Sequence, residues 1–140
     1  MDIFAKLNEE AMKLTGKNMT ELDTEFLVDL LFEMSNDFKD TVIAWLATNI
    51  EHRLKIQYSS NPNPKNGWVV TVNRTILDLN RKFRRNHSLE VWLQGNIKEA
   101  FNDGVASYNI ARQQYGDLPE LPKDLTNPWS FEELMTPIDI

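Results

Sequence analysis

The chain has 140 residues, a formal net charge of −6, 41% apolar residues and 10% aromatic residues. This length and composition are typical of one folded domain with its own core, which excludes wholesale disorder, and we predict a single domain over residues 1–140. The absence of cysteine excludes disulfides, thiolate metal ligands and cysteine nucleophiles.

The N-terminal part predicts three helices. The first carries apolar residues on one face, with Asp2 as its N-cap and Gly16 just past its end: Ile3, Leu7, Ala11 and Leu14. A second helix is predicted from a cap at Thr24 to about Met34. After Ser35 and Asn36, a third helix is predicted over residues 37–58, which show the longest helical pattern of apolar residues in the chain.

The run WVVTVNRTI after the loop SSNPNPKNG is ambiguous, because its many β-branched residues favour a strand. Its apolar residues advance by four, four, three and four, which is a helical period: Trp68, Val72, Ile76, Leu79 and Phe83. We therefore predict a helix here, with Asn63 as N-cap and Pro64 as first helical residue.

The last part predicts a long helix, a proline-rich segment and a short helix. Ser88 is placed to cap a helix over residues 89–115, with Tyr115 on its buried side and Gly116 at its end. In WSFEEL, Ser130 and Glu133 have capping-box spacing, with Trp129 and Leu134 at the staple positions. The predicted fold is an all-α, single-domain bundle of five or six helices, with a Pro-rich C-terminal segment and a short docking helix.

Two sets of charged residues are candidates for binding sites. Four acids recur every four residues and form a stripe if their helix continues far enough: Glu25, Asp29, Glu33 and Asp37. In RKFRRNHS, residues 81–88, Phe83 is predicted to face the core, and His87 and Ser88 to form the turn and cap of the next helix. Arg81 and Arg85 line up with Arg74 on the outer face, whereas Arg84 flanks that line.

Residues that commonly carry catalysis are sparse. The only imidazoles are His52 and His87, and no nucleophile-elbow motif accompanies either. None of the five glycines belongs to a phosphate-binding loop, and no zinc or EF-hand pattern is present. The sequence predicts a protein that is not an enzyme, with no cofactor and no metal. Without a signal-peptide pattern or an apolar run of about 18 residues, we expect no membrane contact and a cytoplasmic location.

Several runs resemble the bacterial proteins grouped as domain of unknown function family 29. They are LDTEFLVDLLFEM, HRLKIQY followed by GWVVTVNRTI, SLEVWL, YNIAR and NPWSFEEL, and they extend from about Leu22 to Leu134. The resemblance implies an all-helical protein and transfers no catalytic residue. The chain departs from the family pattern in its first 20 residues, at Lys55 and Ile56, where Lys-Trp is usual, and at Asn127, where a cysteine is frequent.

The charge distribution suggests two functions. The leading hypothesis is a protein-binding module, an antitoxin or immunity protein that occludes a basic toxin or nuclease through the acidic residues 25, 29, 33 and 37. The alternative is a nucleic-acid-binding regulatory protein that uses the arginines at 74, 81, 84 and 85. The sequence leaves the oligomeric state open. It also leaves open whether the acidic and basic faces pair with each other.

Overall fold

The computed structural model describes residues 2–16, 21–114 and 116–139, and the side chains of residues 21–23 are outside this description. These residues form six helices and no strand, which confirms the all-α prediction. In chain order the helices are α1 (Ile3–Leu14), α2 (Glu21–Tyr58), α3 (Lys65–Arg85), α4 (His87–Gln94), α5 (Ile97–Gln114) and α6 (Phe131–Leu134). None of the described helices combines the length and apolarity needed to cross a membrane.

Helix α2 is the central element of the fold. Its 38 residues span about 57 Å at about 1.5 Å per residue, and α1, α3, α4, α5 and α6 all contact it. Helix α3 returns antiparallel to α2, so that the Lys82 ammonium near its end lies 4.3 Å from the centre of the Phe38 ring. Helix α5 packs along α2 where Gly104 faces Ala47 and Ile50. The core therefore surrounds the C-terminal two-thirds of α2.

The prediction of two helices across residues 24–58 is wrong, because α2 continues through Ser35 and Asn36. Ser35 is buried against α1, and its hydroxyl donates a hydrogen bond of 2.7 Å to the side-chain oxygen of Asn8. A tertiary partner thus satisfies a side chain that would otherwise favour a helix end. Thr24, predicted as an N-cap, lies inside the helix.

The prediction of one helix over residues 89–115 is also wrong. Helix α4 ends at Gln94, and Gly95 forms its C-cap. The side-chain amide of Asn96 donates a hydrogen bond of 2.7 Å to the Trp92 carbonyl. The break turns the chain so that α5 can lie along α2. Asn86, rather than Ser88, is the N-cap of α4, and α3 begins one residue later than predicted, with Pro64 at its N-cap. Tyr115 lies outside the described residues.

The C-terminal segment is held by a buried polar pair on α2. The Arg53 guanidinium donates to the side-chain oxygen of Asn49 at 2.7 Å and to three backbone carbonyls at 3.0–3.2 Å, those of Glu133, Leu134 and Thr136. Both parts of the predicted capping box of α6 are present. Trp129 packs against the core and Leu134 is fully buried within it. A cationic side chain thus binds the carbonyls at the C-terminal end of α6.

Candidate functional site

The acidic stripe consists of Glu25, Asp29, Glu33 and Asp37, and all four are exposed on the N-terminal part of α2. Because α2 is one continuous helix, their spacing of four residues places them along one face, as predicted. Among the described residues, no Lys, Arg or His side chain lies within 4.0 Å of these carboxylates. The stripe therefore has no ion-pair partner in the part of the chain that the structure describes, and its binding role stays a prediction.

An apolar strip runs beside the acidic stripe, and it was not predicted from the sequence. It consists of Phe26, Leu30 and Met34, which are 66%, 43% and 43% exposed. Each follows an acid of the stripe by one residue, so the two rows lie about 100° apart around the helix. The signal was the repeated pair of an acid and an apolar residue: EF, DL and EM.

The strip is exposed because few elements reach this end of α2. Helix α3 ends near Phe38, as the contact between that ring and Lys82 shows. On the N-terminal side of Phe38, α1 packs on one side of α2, where the Ser35 hydroxyl donates its hydrogen bond to Asn8. Met12 near the end of α1 is itself 65% exposed. The result is an uncovered amphipathic helix face that is apolar on one side and acidic on the other.

The predicted arginine line is also exposed, since Arg74, Arg81, Arg84 and Arg85 all project from α3 into solvent. No carboxylate of the described residues lies within 4.0 Å of their guanidinium groups. The structure therefore does not bring the acidic stripe and the arginines together as ion pairs. Three of the arginines border one cleft of about 650 Å³, whereas Arg74 is not among its lining residues.

This basic cleft lies between α1, α2 and α3. Arg81, Arg84 and Arg85 line it together with Lys82, and Phe38 and Trp45 contribute aromatic surface from α2. Its remaining lining residues are Ile3, Asp78 and Asn86. The sequence predicted an outward line of Arg74, Arg81 and Arg85 with Arg84 beside it. The structure instead groups Arg84 with Arg81 and Arg85, next to two aromatic rings.

A reciprocal pair of caps fixes the end of this cleft. The Asp2 carboxylate accepts the Ala5 N–H at 2.9 Å in its own helix and the Ser88 N–H at 2.7 Å in α4. The buried Asn86 side chain accepts the Phe4 N–H at 3.0 Å in α1. Helices α1 and α4 therefore each receive a cap from the other's N-cap residue. His87 and Ser88, which were predicted to form the turn and cap, both lie in the first turn of α4.

These hydrogen bonds also set the ionisation of Asp2. Burial raises the pKa of its carboxyl group, but hydrogen bonds from the Ala5 and Ser88 backbone N–H groups lower it together with smaller contributions from the Ser88 side chain and His87, so that the pKa lies below its ordinary value of 3.8. Phe83, the apolar residue within RKFRRNHS, is buried as predicted. The walls of the basic cleft are thus held by backbone and core contacts, and its guanidinium groups are not needed for them.

The two histidines do not belong to the acidic stripe or to the lining of the basic cleft. His52 is half-buried in α2 with its Nδ1 atom 2.9 Å from the Thr48 carbonyl, and burial lowers the pKa of its imidazole. Beside it, the Lys55 ammonium and the Glu51 carboxylate pair at 2.6 Å. His87 is exposed. Within the described ranges, no group of three or more His, Asp or Glu side chains is placed to hold a metal ion.

The family described as "Domain of unknown function DUF29" matches residues 1–138. This match confirms the resemblance inferred from the sequence and extends it over the first 20 residues, which had looked atypical. No curated protein and no solved structure matches the chain.

Proposed function

We propose that this chain, which belongs to the DUF29 family, is a protein-binding module that docks a basic partner on the N-terminal part of α2. The observation that carries the proposal is the exposed apolar strip of Phe26, Leu30 and Met34 alongside an acidic stripe that has no cationic side chain within 4.0 Å in the described part of the chain. Stable interfaces combine a desolvated apolar centre with a charged rim. An amphipathic helix face of this kind is a common recognition surface.

The negative charge of the acidic stripe indicates that its partner is positively charged. Three successive pairs of like charges at a spacing of four residues each cost α2 a few tenths of a kcal/mol, and a cationic partner would relieve this repulsion. Complementary charge also speeds encounter and selects among partners. In its most specific form, the proposal is an antitoxin or immunity protein that binds a nuclease-type toxin and blocks its cationic cleft.

The test is affinity capture from the native source with matched variants. The wild-type chain should retain a basic protein that is lost with E25K/D29K/E33K and with F26S/L30S. The control E99K/D103K reverses two exposed acids one turn apart on α5 and should retain it. Capture of the same proteins by all variants would contradict the proposal.

The toxin form of the proposal needs a second measurement. The captured protein, or the product of an adjacent gene with a nuclease signature, is assayed for nucleic-acid cleavage with and without the chain. We expect cleavage to stop at one equivalent of the wild-type chain and to persist with E25K/D29K/E33K. A bound partner without nuclease activity would restrict the proposal to protein binding.

A nucleic-acid-binding regulatory protein is the second candidate function. It is favoured by four exposed arginines on one helix, none of which has a carboxylate of the described residues within 4.0 Å of its guanidinium group. It predicts an electrophoretic shift at low salt that weakens steeply as salt rises and as these arginines are neutralised. The absence of a complex at low salt would remove this candidate.

A further inference from the structure

The basic cleft between α1, α2 and α3 is a single cavity lined by cationic side chains and by aromatic rings. We propose that it binds a free nucleoside phosphate, with the phosphates on the arginines of α3 and the base against Trp45. Its volume of about 650 Å³ lies within the range of about 300–1,000 Å³ that is typical of small-ligand pockets. The proposal concerns a different surface from the acidic stripe and the apolar strip, so the two can fail separately.

The phosphate end is formed by three guanidinium groups from one end of α3. Arg81 and Arg85 are one helical turn apart, about 6 Å along the axis, and Arg84 lines the same cavity. Each is exposed, and no described carboxylate lies within 4.0 Å to compete for it. Guanidinium groups bind phosphate oxygens through two parallel hydrogen bonds.

Helix stability explains some of the cations at the end of α3, because cations in the last turn interact favourably with the negative end of the helix dipole. It does not account for Arg81, which lies outside the basic residues of the last turn. Nor does it require the aromatic residues that line the same cavity from another helix. A ligand with both phosphate and aromatic parts accounts for both features.

The base end is formed by Trp45. The Phe38 ring already contacts other side chains of the protein: the Lys82 ammonium lies 4.3 Å from its centre, and the Phe4 ring packs edge-on with a centroid distance of 6.4 Å. Trp45 is half-buried and lines the cavity without such a partner among the described aromatic contacts. Base stacking on an aromatic side chain is strong and tolerates any base. Asp78 is the one carboxylate lining the cavity, where it can accept a hydrogen bond from a ribose hydroxyl.

A small ligand fits better than a long polyanion. The chain as a whole carries a net charge of −6, which repels an extended strand beyond the cleft. Arg74, the cation that would continue the track, lies outside the lining. A bound nucleotide meets mainly local charge, because screening acts within about 8 Å at physiological ionic strength.

The test is calorimetric titration of the full chain at low salt with EDTA, using ATP, tripolyphosphate and adenosine as probes. ATP should bind one to one, tripolyphosphate at least about fivefold more weakly, and adenosine more weakly still. R81A/R85A should weaken ATP binding by at least about tenfold, since it removes charge-assisted hydrogen bonds. The matched control R74A, on the same helix outside the cleft, should stay within about twofold. W45L should abolish the preference for ATP over tripolyphosphate.

Four results would overturn the proposal. They are no ATP binding, equal binding of ATP and tripolyphosphate by the wild-type chain, equal weakening by R74A and R81A/R85A, and binding of an oligothymidine without binding of ATP. The last result would support the nucleic-acid candidate instead. Thermal unfolding followed by circular dichroism checks that each variant is folded. The substituted arginine side chains are exposed, so the arginine variants should remain folded and keep the test decisive even if W45L unfolds.

Discussion

The contact between α5 and α2 at Gly104 gives a prediction whose sign is opposite to the usual rule. Replacing glycine by alanine in a helix normally stabilises it by about 1 kcal/mol. At Gly104, however, the added Cβ would lie 2.8 Å from the Ile50 Cγ2 atom and 3.0 Å from the Ala47 carbonyl oxygen. One of these neighbours is backbone, so the contact cannot be relieved by a side-chain rotation alone.

The magnitude follows from the overlap. Carbon atoms pack best at about 3.5–4.0 Å, so the two helices would have to separate by more than half an ångström in order to accept the methyl group. Overpacking of this kind costs about 1–3 kcal/mol, from which the gain in helix propensity is subtracted. We expect G104A to lower the free energy of unfolding by about 1 kcal/mol. The control G67A, which has no atom within 4 Å of its added Cβ, should leave stability unchanged or raise it.

Urea unfolding followed by circular dichroism measures both variants. The variant I50A supplies a second check, because removing the side chain that meets the new methyl group should make G104A less costly. We expect a favourable coupling above about 0.5 kcal/mol between the two substitutions. If G104A proves as stable as the wild-type chain or matches G67A, the close approach of α5 to α2 at this point is wrong.

Two further predictions concern the polar contacts that hold the ends of the chain. D2A should destabilise the fold near neutral pH by about 1–2 kcal/mol. Because the folded pKa of Asp2 lies below its ordinary value of 3.8, the advantage of the wild-type chain should shrink as pH falls below about 4. A constant difference in urea unfolding between pH 6 and pH 3 would contradict this. R53M should cost about 3 kcal/mol by removing the donor to the Asn49 side-chain oxygen and to the Glu133 and Thr136 carbonyls, and should speed hydrogen exchange in residues 131–139. The control R112M, at an exposed site on α5, should change neither, and equal exchange in both variants would refute the docking role of Arg53.

Local signals in the sequence were sufficient for two of the predicted helix caps, Asp2 and Ser130, but they misplaced the caps at Asn63, Thr24 and Ser88. Asp2 and Ser130 act within three residues of the helices they begin, so their partners are visible in the sequence. Helix breaks were not predictable in this way. Ser35-Asn36 and Gly95-Asn96 are both pairs of small polar or flexible residues, yet the helix continues through the first and ends at the second. The two pairs differ locally, because glycine is a poorer helix former than serine, and they differ in tertiary contacts, because Ser35 donates its hydroxyl hydrogen bond to Asn8, 27 positions away.

The candidate surfaces were predictable only in part. A spacing of four residues was enough to place the acids on one face, because charged side chains rarely face a core. Periodicity could not show that Leu30 and Met34 stay exposed, because it marks an apolar face without showing what covers it. That outcome depends on where α3 ends relative to α2. The grouping of Arg84 with Arg81 and Arg85 depends likewise on where α1 and α2 place the other walls of the cleft.

The arrangement of charge connects the two proposals. The sequence has a net charge of −7 over residues 1–51, +7 over 52–98 and −6 over 99–140, which allowed either mutual neutralisation or separate surfaces of opposite sign. Every ion pair within 4.0 Å among the described residues joins two side chains of one helix. The described parts of the three blocks therefore do not neutralise each other through ion pairs between helices. A fold that needed these charges for its own stability would pair them across its helix interfaces, whereas here the acids of α2 and the arginines of α3 face solvent. The two proposals use this separation, since one places a basic protein on the acids of α2 and the other an anionic ligand on the arginines of α3.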